Sequence, residues 1–161
     1  MNAQRIRRLA FGGLLTALIA ALTAYVRISI PGGYVNPGDA AIALAAVLLG
    51  PYAAIPAALG SMLADLLGYP QYAVFTLFIK GLMGFIAGWG MKSGRICAKS
   101  IISVALSGTV LVGGYFVTDI ILGDIGLALV DLPWNLLQLA IFAVSSAAFT
   151  TPGIRKLAEK I

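Results

Sequence analysis

The 161-residue chain is 60% hydrophobic and 11% charged with a mean hydropathy of +0.98, where a soluble domain carries about 25% charged residues, so a water-soluble globule is excluded. Histidine is absent, which excludes imidazole metal centres and histidine acid–base chemistry, and the single cysteine, Cys97, excludes an internal disulfide and a multi-thiolate zinc site. The net charge of +5 comes from lysines and arginines at the ends of apolar runs rather than on one soluble face, which excludes nucleic acid as a partner.

The length predicts one membrane domain, residues 1–161, with an all-α integral membrane fold that crosses the plasma membrane several times. The first apolar run, 9–26, follows Arg5, Arg7 and Arg8 and has the look of a signal peptide. More apolar runs follow it, and it is long enough to span, so it is read as an uncleaved first helix. The loop that follows, Ile30 to Asp39, carries three glycines and two prolines, which specify turns. Asp39 stands where an N-cap of the next helix is expected.

Runs 39–50 and 51–67 meet at Gly50-Pro51. Fused, they would make one long broken helix; divided, they make two short ones. Charge decides for division, because lysine and arginine concentrate on the cytoplasmic side. With further runs at 72–91, 100–122 and 133–151, six transmembrane helices place nine of the eleven basic residues on one side, and both termini are then cytoplasmic. Asp39, Asp65, Asp119, Asp124 and Asp131 fall at or near the outer side. No internal repeat is evident, so the inverted-repeat signature of many secondary transporters is missing.

Polar side chains inside such runs are expensive unless they find partners or line a cavity. Lys80 lies near the middle of the fourth run, with Asp65 or Asp119 as its expected partner. Tyr115 and Asp119 are four apart on the fifth helix, and Asn135 and Gln138 three apart on the sixth, so each pair shares a face. The amides both donate and accept, which suits a heterocycle with ring nitrogens and amino or hydroxyl groups. Asn36 and Tyr34 are placed to close over a ligand. Tyr72, Phe75 and Trp134 read equally as interface anchors and as stacking surfaces for a flat ligand. The candidate substrate-binding set is thus Asn36, Tyr72, Phe75, Lys80, Tyr115, Asp119, Trp134, Asn135 and Gln138.

Two helices carry small residues every four positions. Gly81, Gly84 and Gly88 on the fourth run predict close packing within the chain. Gly13, Ala17, Ala20, Ala21 and Ala24 on the first suit a partner protein equally well. No catalytic constellation or phosphate loop appears, so no enzyme activity, cofactor or metal is expected, and uphill transport would draw its energy from another chain.

Four stretches carry a family resemblance: Tyr34 to Asp39, Gly60 to Tyr69, Ile79 to Gly84, and Gly114-Tyr115-Phe116 with Pro133 to Gln138. In order and spacing the chain resembles the substrate-binding S components of energy-coupling factor (ECF) vitamin transporters, in the hydroxymethylpyrimidine and pyridoxine branch. Asp119 stands where that branch is expected to have glutamate. The resemblance implies that a small-molecule vitamin is bound from outside by the outer halves of helices four to six and the outer loops. It also implies docking on a membrane coupling subunit attached to two ABC-type ATPase subunits, through the first helix at Ala17, Ala20, Ala21 and Ala24, and toppling in the lipid bilayer to release ligand inward. Metal-transporting relatives depend on an N-terminal histidine, so nickel and cobalt are not expected. Two competing readings stand beside this one: a stand-alone proton-coupled transporter using Lys80 and Asp119, and a structural membrane subunit without ligand.

Overall fold

The computed structural model describes residues 3–92 and 94–161. The chain is almost wholly helical. Helix α1 spans Ala3–Tyr25, and a small antiparallel hairpin follows, β1 (Ile28–Ser29) paired with β2 (Tyr34–Val35). Then come α2 (Gly38–Leu49), a 3-10 turn (Gly50–Ala53), α3 (Ala54–Gly68), α4 (Ala73–Met91), α5 (Ala98–Leu122), α6 (Ile125–Ala148) and a short α7 (Pro152–Ala158). Among the described residues, five helical stretches are long and apolar enough to cross a membrane, with Gly38–Gly68 taken as one stretch of 31 residues. This is an integral membrane protein. Its exposed leucines, phenylalanines and valines, such as Leu14, Phe78 and Val144, form the lipid-facing surface.

The Gly38–Gly68 stretch does divide at Gly50-Pro51. Gly50 has φ 61°, a left-handed conformation that glycine tolerates, and proline starts the 3-10 turn after it. Gly38 lies against Thr23 and Gly68 against Arg27, both near the end of α1, whereas Gly50 lies against Lys92 at the opposite end. The chain therefore runs down α2, reverses and returns along α3. Helix α2 is central, packed on α1, α4 and α6, with only Ala40 and Leu44 of its twelve residues not fully buried. Its many alanines allow this close approach.

The glycine face of α4 packs within the chain. A Cβ on Gly84 would lie 2.8 Å from the Ala53 carbonyl oxygen, and one on Gly88 would lie 2.0 Å from that of Gly50. A Cβ on Gly13 of α1 would meet nothing within 4 Å among the described residues. At the end opposite the hairpin, Arg7 and Arg8 donate to the carbonyls of Lys160 and Ile161.

Two expectations change here. The connection expected between the runs at 100–122 and 133–151 is nearly absent, because α6 begins at Ile125 rather than near Pro133. The cause is local: the Asp124 side chain accepts from the Leu127 N–H at 2.9 Å and caps α6, while Pro133 sits inside the helix. Asp39, in turn, is no N-cap. Pro37 occupies that position, and the Asp39 carboxylate is drawn away into the core.

Candidate functional site

A cavity opens at the hairpin end of the bundle, about 470 Å³ counting its mouth, within the usual range for a small-molecule site. Every long helix contributes to it: Thr23 from α1, Ser61 and Asp65 from α3, Thr76 and Lys80 from α4, Tyr115 and Asp119 from α5, and Asp131, Asn135 and Gln138 from α6. The β-hairpin and the turn after it cover the opening with Gly32, Tyr34 and Asn36.

At its base lies a buried three-helix junction. Lys80 Nζ donates to Asp39 Oδ1 at 2.6 Å, and Gln138 Nε2 donates to Asp39 Oδ2 at 2.7 Å. Both carboxylate oxygens are thus engaged, one by an ammonium and one by an amide, which is the arrangement a buried charge requires. The Lys80 ammonium also lies 5.3 Å from the centre of the Tyr115 ring. Lys80 therefore pairs with Asp39 rather than with Asp65 or Asp119. Both of those carboxylates have phenolic partners instead: Tyr72 donates to Asp119 at 2.9 Å and Tyr34 donates to Asp65.

Around the mouth, Arg27 lies over the Tyr34 and Tyr69 rings at 5.4 and 5.7 Å, and the two rings are 5.2 Å apart. Burial raises the Tyr34 phenol above its ordinary pKa, and the nearby Asp65 charge adds to this, so Tyr34 stays a donor. Asn36 Oδ1 accepts from the Gly38 N–H at 2.8 Å, which fixes the entry into α2.

Asp131 differs from the other carboxylates. It is 2% exposed, and its Oδ1 has no hydrogen-bond partner among the described residues. Gly32 of the cover approaches Oδ2 so closely that a Cβ there would lie 2.1 Å from it. Asn135, one turn further along α6, presents an amide to the cavity without a side-chain hydrogen bond among the described residues.

Seven of the nine candidate residues line the cavity: Asn36, Tyr72, Lys80, Tyr115, Asp119, Asn135 and Gln138. Phe75 and Trp134 do not. Each is the chain neighbour of a lining residue, Thr76 and Asn135, and one step along a helix turns a side chain about 100° away. Because α6 starts early, Asn135 and Gln138 lie deeper than Asp119, which is close to the end of α5. The sequence reading missed Ser61, Thr76 and Asp131 as lining residues, although helical spacing marks them: Ser61 with Asp65, Thr76 with Lys80, and Asp131 with Asn135 are each four apart. On α1, Ala17 and Ala21 are exposed and Ala20 and Ala24 half-buried. Among the described residues no cluster of three or more histidine, cysteine or acidic side chains could hold a metal ion.

The chain is 44% identical over 100 residues to an uncharacterized protein in a gap 3'region of Pyrococcus woesei, an alignment that covers 60% of this chain and 68% of the relative. Residues 3–152 match the family model of the ECF-type riboflavin transporter S component. A bundle of apolar helices with a polar cavity at one end, matched over nearly its whole length, belongs to the ECF-type riboflavin transporter S component family, the vitamin-binding membrane subunits of ECF transporters.

Proposed function

We propose that the chain binds a flat, donor-bearing vitamin heterocycle from outside the cell, of the size of hydroxymethylpyrimidine or a pyridoxine vitamer, and delivers it inward. The observation that carries this is the open acceptor at Asp131 Oδ1 beside the amide of Asn135. A buried carboxylate oxygen without a partner is costly, and a ligand N–H or O–H relieves it. The cavity holds Asp65, Asp119 and Asp131 beyond the Asp39–Lys80 pair, which favours a ligand rich in donors. Tyr72 and Asp119, already paired, are placed at its rim to orient an amino or hydroxyl group.

A second reading, riboflavin, draws on the family's description. It places the ribityl hydroxyls against the same carboxylates. Isothermal titration with hydroxymethylpyrimidine, pyridoxine and riboflavin separates the two. The expected result is tight binding of one compound, weakened by roughly 1–3 kcal/mol in Asn135→Ala through loss of a buried hydrogen bond. Absence of heat from all three at micromolar ligand would sink this substrate class.

In the same reading the membrane is crossed six times, with the hairpin end outside and both termini in the cytoplasm. The basic residues at the other end, among them Arg5, Arg8, Arg95, Lys99 and Lys156, support that orientation. Transport then depends on a membrane coupling subunit, which docks on Ala17, Ala20, Ala21 and Ala24 of α1, and on the two ABC-type ATPases attached to it. The exposure of Ala17 and Ala21 supports this role. Lys80 is held by Asp39 rather than Asp119, which removes support from a proton-coupled Lys80–Asp119 transporter. Uptake into liposomes that requires the ATPases and ATP is the outcome expected; ion-driven uptake by this chain alone overturns it.

A further inference from the structure

A second cavity lies at the opposite, basic end, in the crevice between the start of α5 and the end of α6. Its walls are apolar, built from Ile96, Ile101 and Val104 on one side and Ala143 and Ala147 on the other. Three hydroxyls interrupt them, and two are spent locally, Ser100 donating to the Cys97 carbonyl and Thr150 to that of Ala147. Ser146 lines this crevice, is 4% exposed, and its Oγ has no hydrogen-bond partner among the described residues. Helical serines normally return their proton to a carbonyl one turn back, so an unpaired one marks a missing acceptor. Ser146 is two residues from the end of α6, which puts it roughly 3 Å from the helix terminus. With the end of α6 at the membrane surface, that falls in the interfacial layer that holds the glycerol ester or ether oxygens of a lipid.

The crevice continues into a basic pocket. Ile96 and Thr150 line both, and the second is edged by Arg95, Arg155, Lys156 and Glu159. Arg155 is engaged by Glu159 at 3.1 Å. Arg95 and Lys156 have no ion-pair partner among the described residues.

We propose that this end of the molecule is a binding site for an anionic phospholipid. One acyl chain lies in the α5–α6 crevice, an ester or ether oxygen accepts from Ser146, and the phosphate rests between Arg95 and Lys156. The order of chemistry along the groove, apolar, then one uncommitted donor, then two cations, is the order along such a lipid from tail to headgroup. A soluble phosphate would use only the cations and would leave the crevice and Ser146 unexplained.

Native mass spectrometry of the purified chain in neutral detergent tests this, with phosphatidylglycerol and phosphatidylcholine of equal chain length as probes. One phosphatidylglycerol is expected to be retained per chain, in preference to phosphatidylcholine. Arg95→Gln with Lys156→Gln removes two cations and is expected to lower that retention about ten- to thirty-fold. Ala143→Phe fills the crevice and is expected to reduce retention of both lipids. Circular dichroism and the unfolding temperature report whether the variants fold; if Ala143→Phe does not, the charge variant decides alone. Equal retention of the two lipids overturns the proposal, as does an unchanged charge variant. So does competition by free glycerol phosphate, or a second copy of the chain occupying the crevice, seen as a dimer lost in Ala143→Phe.

Discussion

Helices α1 and α4 carry nearly the same small-residue spacing and use it in opposite ways. On α4, Gly84 and Gly88 lie against the backbone of the turn between α2 and α3, so close that no side chain fits. On α1, a Cβ at Gly13 would meet nothing within 4 Å among the described residues, and Ala17 and Ala21 are exposed. The pattern alone thus specifies close approach but not the partner. What separates the helices is position in the bundle: α4 packs against α2, α3 and α5, whereas α1 packs on α2 and α3 and leaves its other side open. Helix α4 also carries the buried Lys80, for which α1 has no counterpart, since the arginines of α1 lie at its exposed start.

Substitutions can break that contrast, and the largest effect belongs to Lys80. Lys80→Met leaves the Asp39 carboxylate buried with only Gln138, and the loss of one partner of a buried pair costs about 3–5 kcal/mol. Thermal unfolding in detergent should show it as a large drop; an unchanged midpoint would mean that the Lys80–Asp39 pair does not hold the junction together. Next comes the same substitution made on both helices. Gly88→Ala drives a Cβ into the Gly50 carbonyl and is expected to destabilise by at least ~1–3 kcal/mol, the cost of an overpacked core. Gly13→Ala meets no neighbour and should stabilise by about 0.5–1 kcal/mol, since alanine loses less backbone freedom than glycine. Equal shifts of the same sign in the two would erase the distinction. The smallest effect on stability is expected for Ala21→Leu, within about 0.5 kcal/mol, as for an exposed site. Its consequence should appear instead in co-purification with the coupling subunit, and retained assembly would direct attention to another face of α1.

Much of the lining of the candidate site was legible because helical periodicity is local. Tyr115 with Asp119, and Asn135 with Gln138, line the cavity as their spacing required. The junction at its base was not legible. Asp39 is joined to residues 41 and 99 positions away, and nothing in the local pattern around Gly38-Asp39 distinguishes a helix cap from an ion-pair partner. The start of α6 was hidden for a different reason: Gly123, two aspartates and Pro133 within eleven residues have the look of a loop, yet Asp124 caps a helix and Asp131 turns inward. Phe75 and Trp134 show the limit of reading by residue type, since an aromatic ring beside a cavity-lining residue faces a different direction.

The Asp39 junction gives α2 a mechanical character. Both ends of this buried rod are held, at Asp39 by Lys80 and Gln138 and at Gly50 by the close packing of Gly88. The eleven residue steps between them span roughly 17 Å, so a pivot of about 10° at Gly50 would swing Asp39 by roughly 3 Å. That displacement is as long as either hydrogen bond at the junction. A tilt of that size imposed at the turn would part both hydrogen bonds at the junction and with them the side-chain link between α4 and α6.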